Sequence, residues 1–302
     1  MILKRIGFIG LGSMGRPMAS RLRAAGFALT VFDTRADAVR DFVSDGGTAA
    51  ATLADVARDS DVVITMLPNG EIVRRVVLGS NDSLLTAMPP EFVLIDMSSS
   101  SPTGTQALGR ILTERGIPML DAPVSGGVAR AEAGTLSIMV GGEPAVIERC
   151  RPVLQPMGER IFATGPLGSG HAMKALNNLV SAAGLIAAAE ALLVGRRFGL
   201  DPNVMLDVLN ASTGRNNSTE NKFKQFVLSR RFASGFSLDL MLKDLTTALD
   251  LAHATETPAP FSAACRELWA AAQAQLESGA DHTAVVRWFE TLAKATLGEE
   301  ER

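Results

Sequence analysis

The segment GFIGLGSMG, residues 7–15, narrows the fold more than any other stretch of the chain. It contains Gly10-Leu11-Gly12-Ser13-Met14-Gly15, a G-x-G-x-x-G pattern. Alone, the pattern says little. Here an aliphatic run over 5–9 precedes it and an amphipathic pattern over 14–25 follows, which predicts strand, glycine turn, helix. In that setting Gly10 makes the tight turn and Gly12 lets the backbone approach a pyrophosphate. Gly15 lets the helix pack closely on the strand. The helix start adds unpaired N–H groups and partial positive charge, both suited to phosphate. All six residues are therefore candidate dinucleotide contacts.

The next strand, predicted over 28–32, runs into Asp33, 23 residues after Gly10. An acid about 20 residues beyond the fingerprint accepts hydrogen bonds from the adenosine ribose and repels a 2′-phosphate. The expected cofactor is NAD, with NADP as the alternative, because Arg35 is close enough in sequence to reach a 2′-phosphate. Ligands of open α/β sheets sit at the carboxyl ends of strands. Leu67, Pro68 and Ser99 follow two such strands and are candidates for the nicotinamide half. Ordinary turn chemistry explains the same residues equally well.

Strands are predicted over 5–9, 28–32, 62–67, 92–97, 118–122, 137–140 and 160–163, with helical patterns at 14–25, 36–43 and 103–115. Continuous apolar strands between helices imply a parallel sheet covered on both faces. Beyond about residue 170 only helical patterns remain: 171–198, 202–210, 221–228, 238–254, 261–278 and 283–297. The fold class expected is an α/β doubly wound sheet of Rossmann type plus an all-α domain. The expected domains are 1–165, binding the dinucleotide, and 166–302, helical, for substrate and oligomerisation. The tail GEEER is expected to fray.

Composition removes several alternatives. Twenty-nine basic against 32 acidic residues gives a net charge of -3, so nothing pulls the whole chain towards nucleic acid. Two cysteines and three histidines without ligand spacing argue against a metal site. The most apolar stretch, 179–194, contains Glu190 and is shorter than the roughly 20 residues of a membrane span. No signal pattern opens the chain, so a cytoplasmic protein without membrane partners is expected. There is also no tyrosine, which excludes any mechanism that needs a phenol as acid or base.

Two further segments carry chemistry. In Asp121-Ala122-Pro123-Val124-Ser125-Gly126-Gly127, the Ser125 hydroxyl and the Gly126 and Gly127 N–H groups make a donor cluster suited to a carboxylate. A plain glycine turn explains it as well. In Gly170-His171-Ala172-Met173-Lys174-Ala175-Leu176-Asn177-Asn178, Lys174 and Asn178 share a helix face. A helix N-terminus and apolar neighbours both disfavour the ammonium at Lys174, although a bound carboxylate opposes them. A snorkelling surface lysine is the alternative. His171 is expected to be a first-turn polar residue. Lys243 and Asp244 lie inside an apolar helix, either as a solvated face or as a Lys243 contact to substrate or cofactor with Asp244 holding the packing.

Taken together, GLGSMGRPMA, DAPVSGG, Gly170-x-x-x-Lys174-x-x-x-Asn178, and Phe236 with Lys243-Asp244-Leu245 resemble the β-hydroxyacid dehydrogenases. That family is typified by 3-hydroxyisobutyrate dehydrogenase and tartronate semialdehyde reductase and is related to 6-phosphogluconate dehydrogenase. The resemblance spans nearly the whole chain. It implies Lys174 as general acid/base and Asn178 as the group that orients the hydroxyl. It also implies Ser125, Gly126 and Gly127 around a small-molecule carboxylate, and Lys243 near substrate and nicotinamide. Ser99 stands where members often carry Thr. Thr34 stands where NADP-using members often carry Arg, which supports NAD. The polar segment 210–221 suggests Ser212, Arg215 or Asn216 as contacts to the far end of a polar substrate. A homodimer or homotetramer is expected, from alanine-rich helix surface and from the resemblance. The competing readings are a non-catalytic dinucleotide sensor, an imine reductase and a sugar-acid dehydrogenase. A nucleotide-sugar enzyme acting through cysteine is disfavoured, since neither Cys150 nor Cys265 has a strand-end or glycine-rich setting.

Overall fold

The structure is a computed structural model that describes residues 3–89 and 91–298. The tail expected to fray, from Glu299 onward, lies outside the described residues. The chain divides between Lys174 and Ala175 into two compact units. This joint falls a few residues past the GPLGSG segment, inside a continuous helix, α8 (Ser169–Phe198).

The first unit alternates strand and helix. Its elements are β1 (Arg5–Ile9), α1 (Gly15–Ala24), β2 (Ala28–Phe32), α2 (Ala36–Ser44), β3 (Thr48–Ala49), α3 (Leu53–Arg58) and β4 (Val62–Thr65). They continue with α4 (Gly70–Leu78), β5 (Val93–Asp96), α5 (Pro102–Thr113), β6 (Met119–Asp121) and β7 (Val124–Ser125). The unit closes with α6 (Gly127–Ala133), β8 (Leu136–Gly141), α7 (Pro144–Leu154) and β9 (Gly158–Gly165). The sheet order is β3-β2-β1-β4-β5-β6-β8-β7, with β9 paired to β8. From β3 to β6 every neighbour is parallel.

The central strands are buried at every residue in β4 and β5, so they read as apolar runs rather than alternations. Helices cover both faces. Phe8, Met18, Leu22, Val31 and Phe42 pack on one side; Ile9, Val63, Leu94, Leu108 and Leu112 pack on the other. The sheet departs from the expected all-parallel form at β8, which runs antiparallel to β6 and β7. Gly126 and Gly127, at φ 137° and 71°, reverse the chain at the carboxyl end of the sheet, and β8 enters from there.

The second unit contains the rest of α8, then α9 (Pro202–Ala211), α10 (Asn217–Asn221), a π-helical turn at Phe223–Leu228, α11 (Leu238–Ala254), α12 (Pro260–Gln273) and α13 (Val285–Ala293). Ala182, Leu185, Ala189 and Leu192 of α8 join Phe223, Leu245, Trp269 and Phe289 in one core. At 30 residues α8 is longer than its apolar stretch suggests, and by length and hydropathy it is the one helix among the described residues able to cross a membrane. Half of that apolar window is buried inside the protein, as in a core helix.

Asp201 caps α9 through the Asn203 N–H, at 2.8 Å, with Pro202 at the first helical position. The polar segment 210–221 is less of a loop than expected. Helix α9 runs through Ala211, and Asn216 with Thr219 forms a capping box that starts α10.

His282 is buried in this unit, stacked on Trp269 and edge-on to Phe236. Its Nδ1 donates to the Phe236 carbonyl at 3.1 Å. Burial pushes the imidazole down from 6.5 to about 4; the Lys222 ammonium adds to this and Asp281 opposes it. The unfolded chain therefore takes up this proton first as pH falls. The neutral ring costs nothing above about pH 6.5, and stability is lost progressively between 6.5 and 4, on the order of 3 kcal/mol in all. Chemical denaturation at a series of pH values is expected to show His282→Gln with a shallower acid decline than wild type. Equal slopes would refute the assignment.

Candidate active site

The three glycines of the turn after β1 differ in what surrounds them. Gly10 has φ 100°, and a side chain there would strike the Met66 carbonyl. A Cβ on Gly15 would strike the Gly10 carbonyl, so Gly15 is fixed by how closely α1 packs on the turn. Gly12 differs: nothing lies within 4 Å of where its Cβ would be. The fold leaves that face of the turn clear, which is the space a pyrophosphate needs. Asp33, at the end of β2, binds the turn directly, accepting from the Leu11 N–H at 2.7 Å and the Arg35 N–H at 2.8 Å. Arg35 folds back, its guanidinium donating to the Leu11 carbonyl at 3.2 Å and lying 3.6 Å from Asp33. Acid and base thus stand together at the end of β2, against the glycine turn. The turn residues Ser13 and Met14 are exposed and half-buried, respectively.

The strand ends beside this turn are tied by buried polar groups. The Ser98 hydroxyl accepts from the Leu67 N–H at 2.9 Å, which joins the ends of β4 and β5. Asp96 accepts from Thr65, from the Ser98 N–H and from Ser100, at 2.9, 3.0 and 2.7 Å. Leu67, Pro68 and Ser99 therefore sit on a braced ledge.

One strand further on, Asp121 is paired in register with Asp96 and is fully buried. Its two oxygens accept the Gly168 and His171 N–H groups, each at 2.7 Å, just where α8 begins. Four residues past Asp121 come Ser125, Gly126 and Gly127, the last with open space where a side chain would be. Asp121 thus fixes the first turn of the Lys174 helix to the strand that leads into the Ser-Gly-Gly turn.

His171, expected as an ordinary first-turn residue, is 1% exposed. Its ring lies 2.8 Å from the Thr105 hydroxyl and 3.0 Å from the Ser98 carbonyl. Thr105 had no sequence signal. Asp96 and Asp121 had one, since each closes an apolar run, FVLID and IPMLD.

Within the second unit, Asn178 donates to Asp244 at 2.6 Å and accepts from Asn177 at 3.1 Å. Asp244 is 2% exposed, with the Lys243 amine 3.5 Å away. Of the two readings of Lys243-Asp244, a solvated face is ruled out for Asp244, which holds Asn178. Lys174 and Asn178 stand four residues apart on continuous helix. Arg215 is exposed, 3.7 Å from Glu220, while the Asn216 side chain is engaged in capping. Lys222, not singled out by sequence, donates to Ser181 at 3.2 Å, and burial pulls its amine down to about 8. Burial pushes the Cys150 and Cys265 thiols up to about 12 and 11, so neither is a ready nucleophile. Among the described residues no cluster of acidic, His and Cys side chains is arranged to hold a metal ion.

Residues 5–165 match the family model described as the NAD binding domain of 6-phosphogluconate dehydrogenase. Residues 168–289 match the one described as the NAD-binding domain of NADP-dependent 3-hydroxyisobutyrate dehydrogenase. The chain is 39% identical to 2-(hydroxymethyl)glutarate dehydrogenase of Eubacterium barkeri, over 97% of each chain. It is 37% identical to the NAD-dependent L-serine dehydrogenase of Pseudomonas aeruginosa, over 95% of this chain and 98% of that one. Among solved structures, 3-hydroxyisobutyrate dehydrogenase of Mycobacterium tuberculosis with L-serine aligns at a TM-score of 0.88. Its identity is 35%, over 96% of this chain and 99% of that one.

The glycine geometry separates stability from binding. Gly12→Ala is expected to keep the wild-type melting temperature and weaken NADH binding at least tenfold, because the added methyl enters the cleared space. Gly15→Ala is expected to lower the melting temperature, because the helix must move off the turn. Fluorescence titration and thermal melts read the two effects, and NADH binding unchanged in Gly12→Ala would refute this account of the turn.

Proposed function

Because the chain belongs to the β-hydroxyacid dehydrogenase family, we propose that it oxidises a β-hydroxyacid, or reduces the matching semialdehyde, with NAD rather than NADP as its preferred cofactor. The named substrates of the 2-(hydroxymethyl)glutarate, L-serine and 3-hydroxyisobutyrate dehydrogenases share one skeleton, HOCH2–CH(R)–COO⁻, with R a carboxyethyl, amino or methyl group. The common part defines the substrate class. When bound, the nicotinamide would supply hydride exchange with the hydroxyl-bearing carbon. Lys174 takes the hydroxyl proton in oxidation and supplies it in reduction. Asn178, oriented by Asp244, positions that hydroxyl. Ser125 and the Gly126 and Gly127 N–H groups hold the carboxylate. Lys243 flanks the reacting groups, and Arg215 meets a polar or anionic R.

The observation that carries this reading is the whole-length similarity to dehydrogenases of three such acids, with Gly170-x-x-x-Lys174-x-x-x-Asn178 intact on a helix whose first turn is pinned by Asp121. A sensor without turnover would not need Lys174. Asp33 supports NAD, and the Arg35 beside it makes the margin over NADP a matter for measurement.

The partners proposed are the small carboxylate and a further copy of this chain, in the cytoplasm, with neither nucleic acid nor membrane. Val180, Val194 and Phe198 are 72%, 71% and 85% exposed, and with Ala187 and Ala191 they form one stripe along α8. Small residues inside an apolar stripe allow two helices to approach closely, which suits self-association.

Initial rates with 2-(hydroxymethyl)glutarate, L-serine and 3-hydroxyisobutyrate, each with NAD and NADP, test the reaction. Lys174→Ala is expected to lower kcat by about 10²- to 10⁴-fold while NADH still binds. Arg215→Ala is expected to raise KM for the dicarboxylate more than for 3-hydroxyisobutyrate. Full turnover in Lys174→Ala would remove it as the acid/base. Light scattering after size exclusion is expected to show a dimer or tetramer that Phe198→Glu breaks down; a wild-type monomer would refute the self-association.

A further inference from the structure

We propose that His171 is a positioning residue for Lys174, setting the rotation and height of the first turn of α8 through its ring contacts with Thr105 and Ser98. The proposal rests on the reading of Lys174 as the acid/base.

A backbone carbonyl only accepts, so Nε2 carries a hydrogen and donates to Ser98 at 3.0 Å. Nδ1 shares a hydrogen bond with the Thr105 hydroxyl at 2.8 Å. With both nitrogens engaged and the ring 1% exposed, the imidazole is closed off from substrate. It functions as a strut. The backbone N–H of the same residue donates to Asp121. One residue thus joins three supports: α5 through Thr105, the end of β5 through Ser98, and the end of β6 through Asp121.

These supports lead to the groups the reaction uses. Ser98 precedes Ser99 and holds the Leu67 N–H, on the cofactor ledge. Asp121 opens the segment that reaches Ser125. Lys174 follows His171 by three residues, about 4.5 Å further along the helix axis. At that distance a small rotation of the first turn moves the lysine amine by a comparable amount. A misplacement near 1 Å can cost on the order of a hundredfold in rate. Asp121 holds the turn at two backbone N–H groups and Ser169 ties it to Thr164 at 2.8 Å; the ring adds off-axis attachments to α5 and to the end of β5, which oppose rotation of the turn.

Thr105→Val removes the hydroxyl with little change of shape, and Thr105→Ser restores it. His171→Gln keeps a donor at the Nε2 position, whereas His171→Leu keeps none. The panel acid turned over fastest serves as probe, with NAD. Thr105→Val is expected to lower kcat about tenfold and His171→Leu by ten- to hundredfold, with KM and NADH affinity within about twofold of wild type. Thr105→Ser is expected to return kcat to near the wild-type value, and His171→Gln to lie between His171→Leu and wild type.

Unchanged kcat in Thr105→Val and His171→Leu would overturn the proposal. So would losses that appear only alongside weaker NADH binding or a lower melting temperature and that Thr105→Ser does not rescue. Lys174→Ala separates the two ideas. If it is active, the acid/base reading falls and takes this proposal with it. If it is inactive while Thr105→Val is fully active, only the positioning role falls.

Discussion

The first unit depends on a buried carboxylate with no net freedom. Asp121 is fully buried, and both of its oxygens are spent on backbone N–H groups at the start of α8. Removing a carboxylate from water is costly unless hydrogen bonds replace the lost hydration. Helix N–H groups with no partner inside the helix are what it needs. The exchange satisfies both sides: the helix gains a cap contributed by a distant strand, and the strand gains a fixed partner for its charge. A glycine at 170 is part of the arrangement, because a side chain there would run into the Met139 carbonyl and Asp121 itself. Asp96 repeats the pattern one strand away, with three donors converging on it. Two charged residues at the ends of adjacent buried strands thus organise the whole carboxyl edge of the sheet.

The same logic shows why the two ends of the proposed chemistry are built differently. In the proposed reading, phosphate recognition falls to backbone and to cleared space, as at Gly12. A backbone turn is rigid and needs little further bracing. The lysine is a long, flexible side chain, and its usefulness depends on where its Cα is held. That is where the buried side-chain hydrogen bonds are concentrated, on the turn three residues before Lys174. Asn178 follows the same rule in the second unit, its amide held by a carboxylate that is itself 2% exposed.

Much of this was legible in the chain. The first two strands fall at the residues the aliphatic runs indicate, and α11 spans the whole of its apolar-periodic segment. Two-residue strands, β3 and β7, left no pattern because two residues cannot show a period. Short α3, and α6 among glycines, gave too few turns for a helical one. At 210–221 polarity alone suggests a loop, whereas Asn216 and Thr219 are polar because they cap a helix. The buried network was half legible. Acids closing apolar runs mark Asp96 and Asp121, but Thr105 lies on an ordinary amphipathic helix and is recognisable only by what it touches. His171 shows the limit most clearly: spacing placed it on the right turn of the right helix, and only the contacts show both ring nitrogens committed.

That commitment bears on where the proton of the reaction can go. The chain has no tyrosine. Both cysteine thiols are buried and held in the neutral form, at about 12 and 11. His171 has no nitrogen to spare, His282 is enclosed in the helical core, and His253 lies exposed near the end of α11. Lys222, pulled down to about 8, is tied to Ser181 and flanks His282. Asp96 and Asp121 are buried and engaged by donors that hold the edge of the sheet. Lys174 stands on a helix turn braced by Asp121 and by the His171 ring. The case proposed for Lys174 therefore rests on that bracing as much as on the motif that contains it.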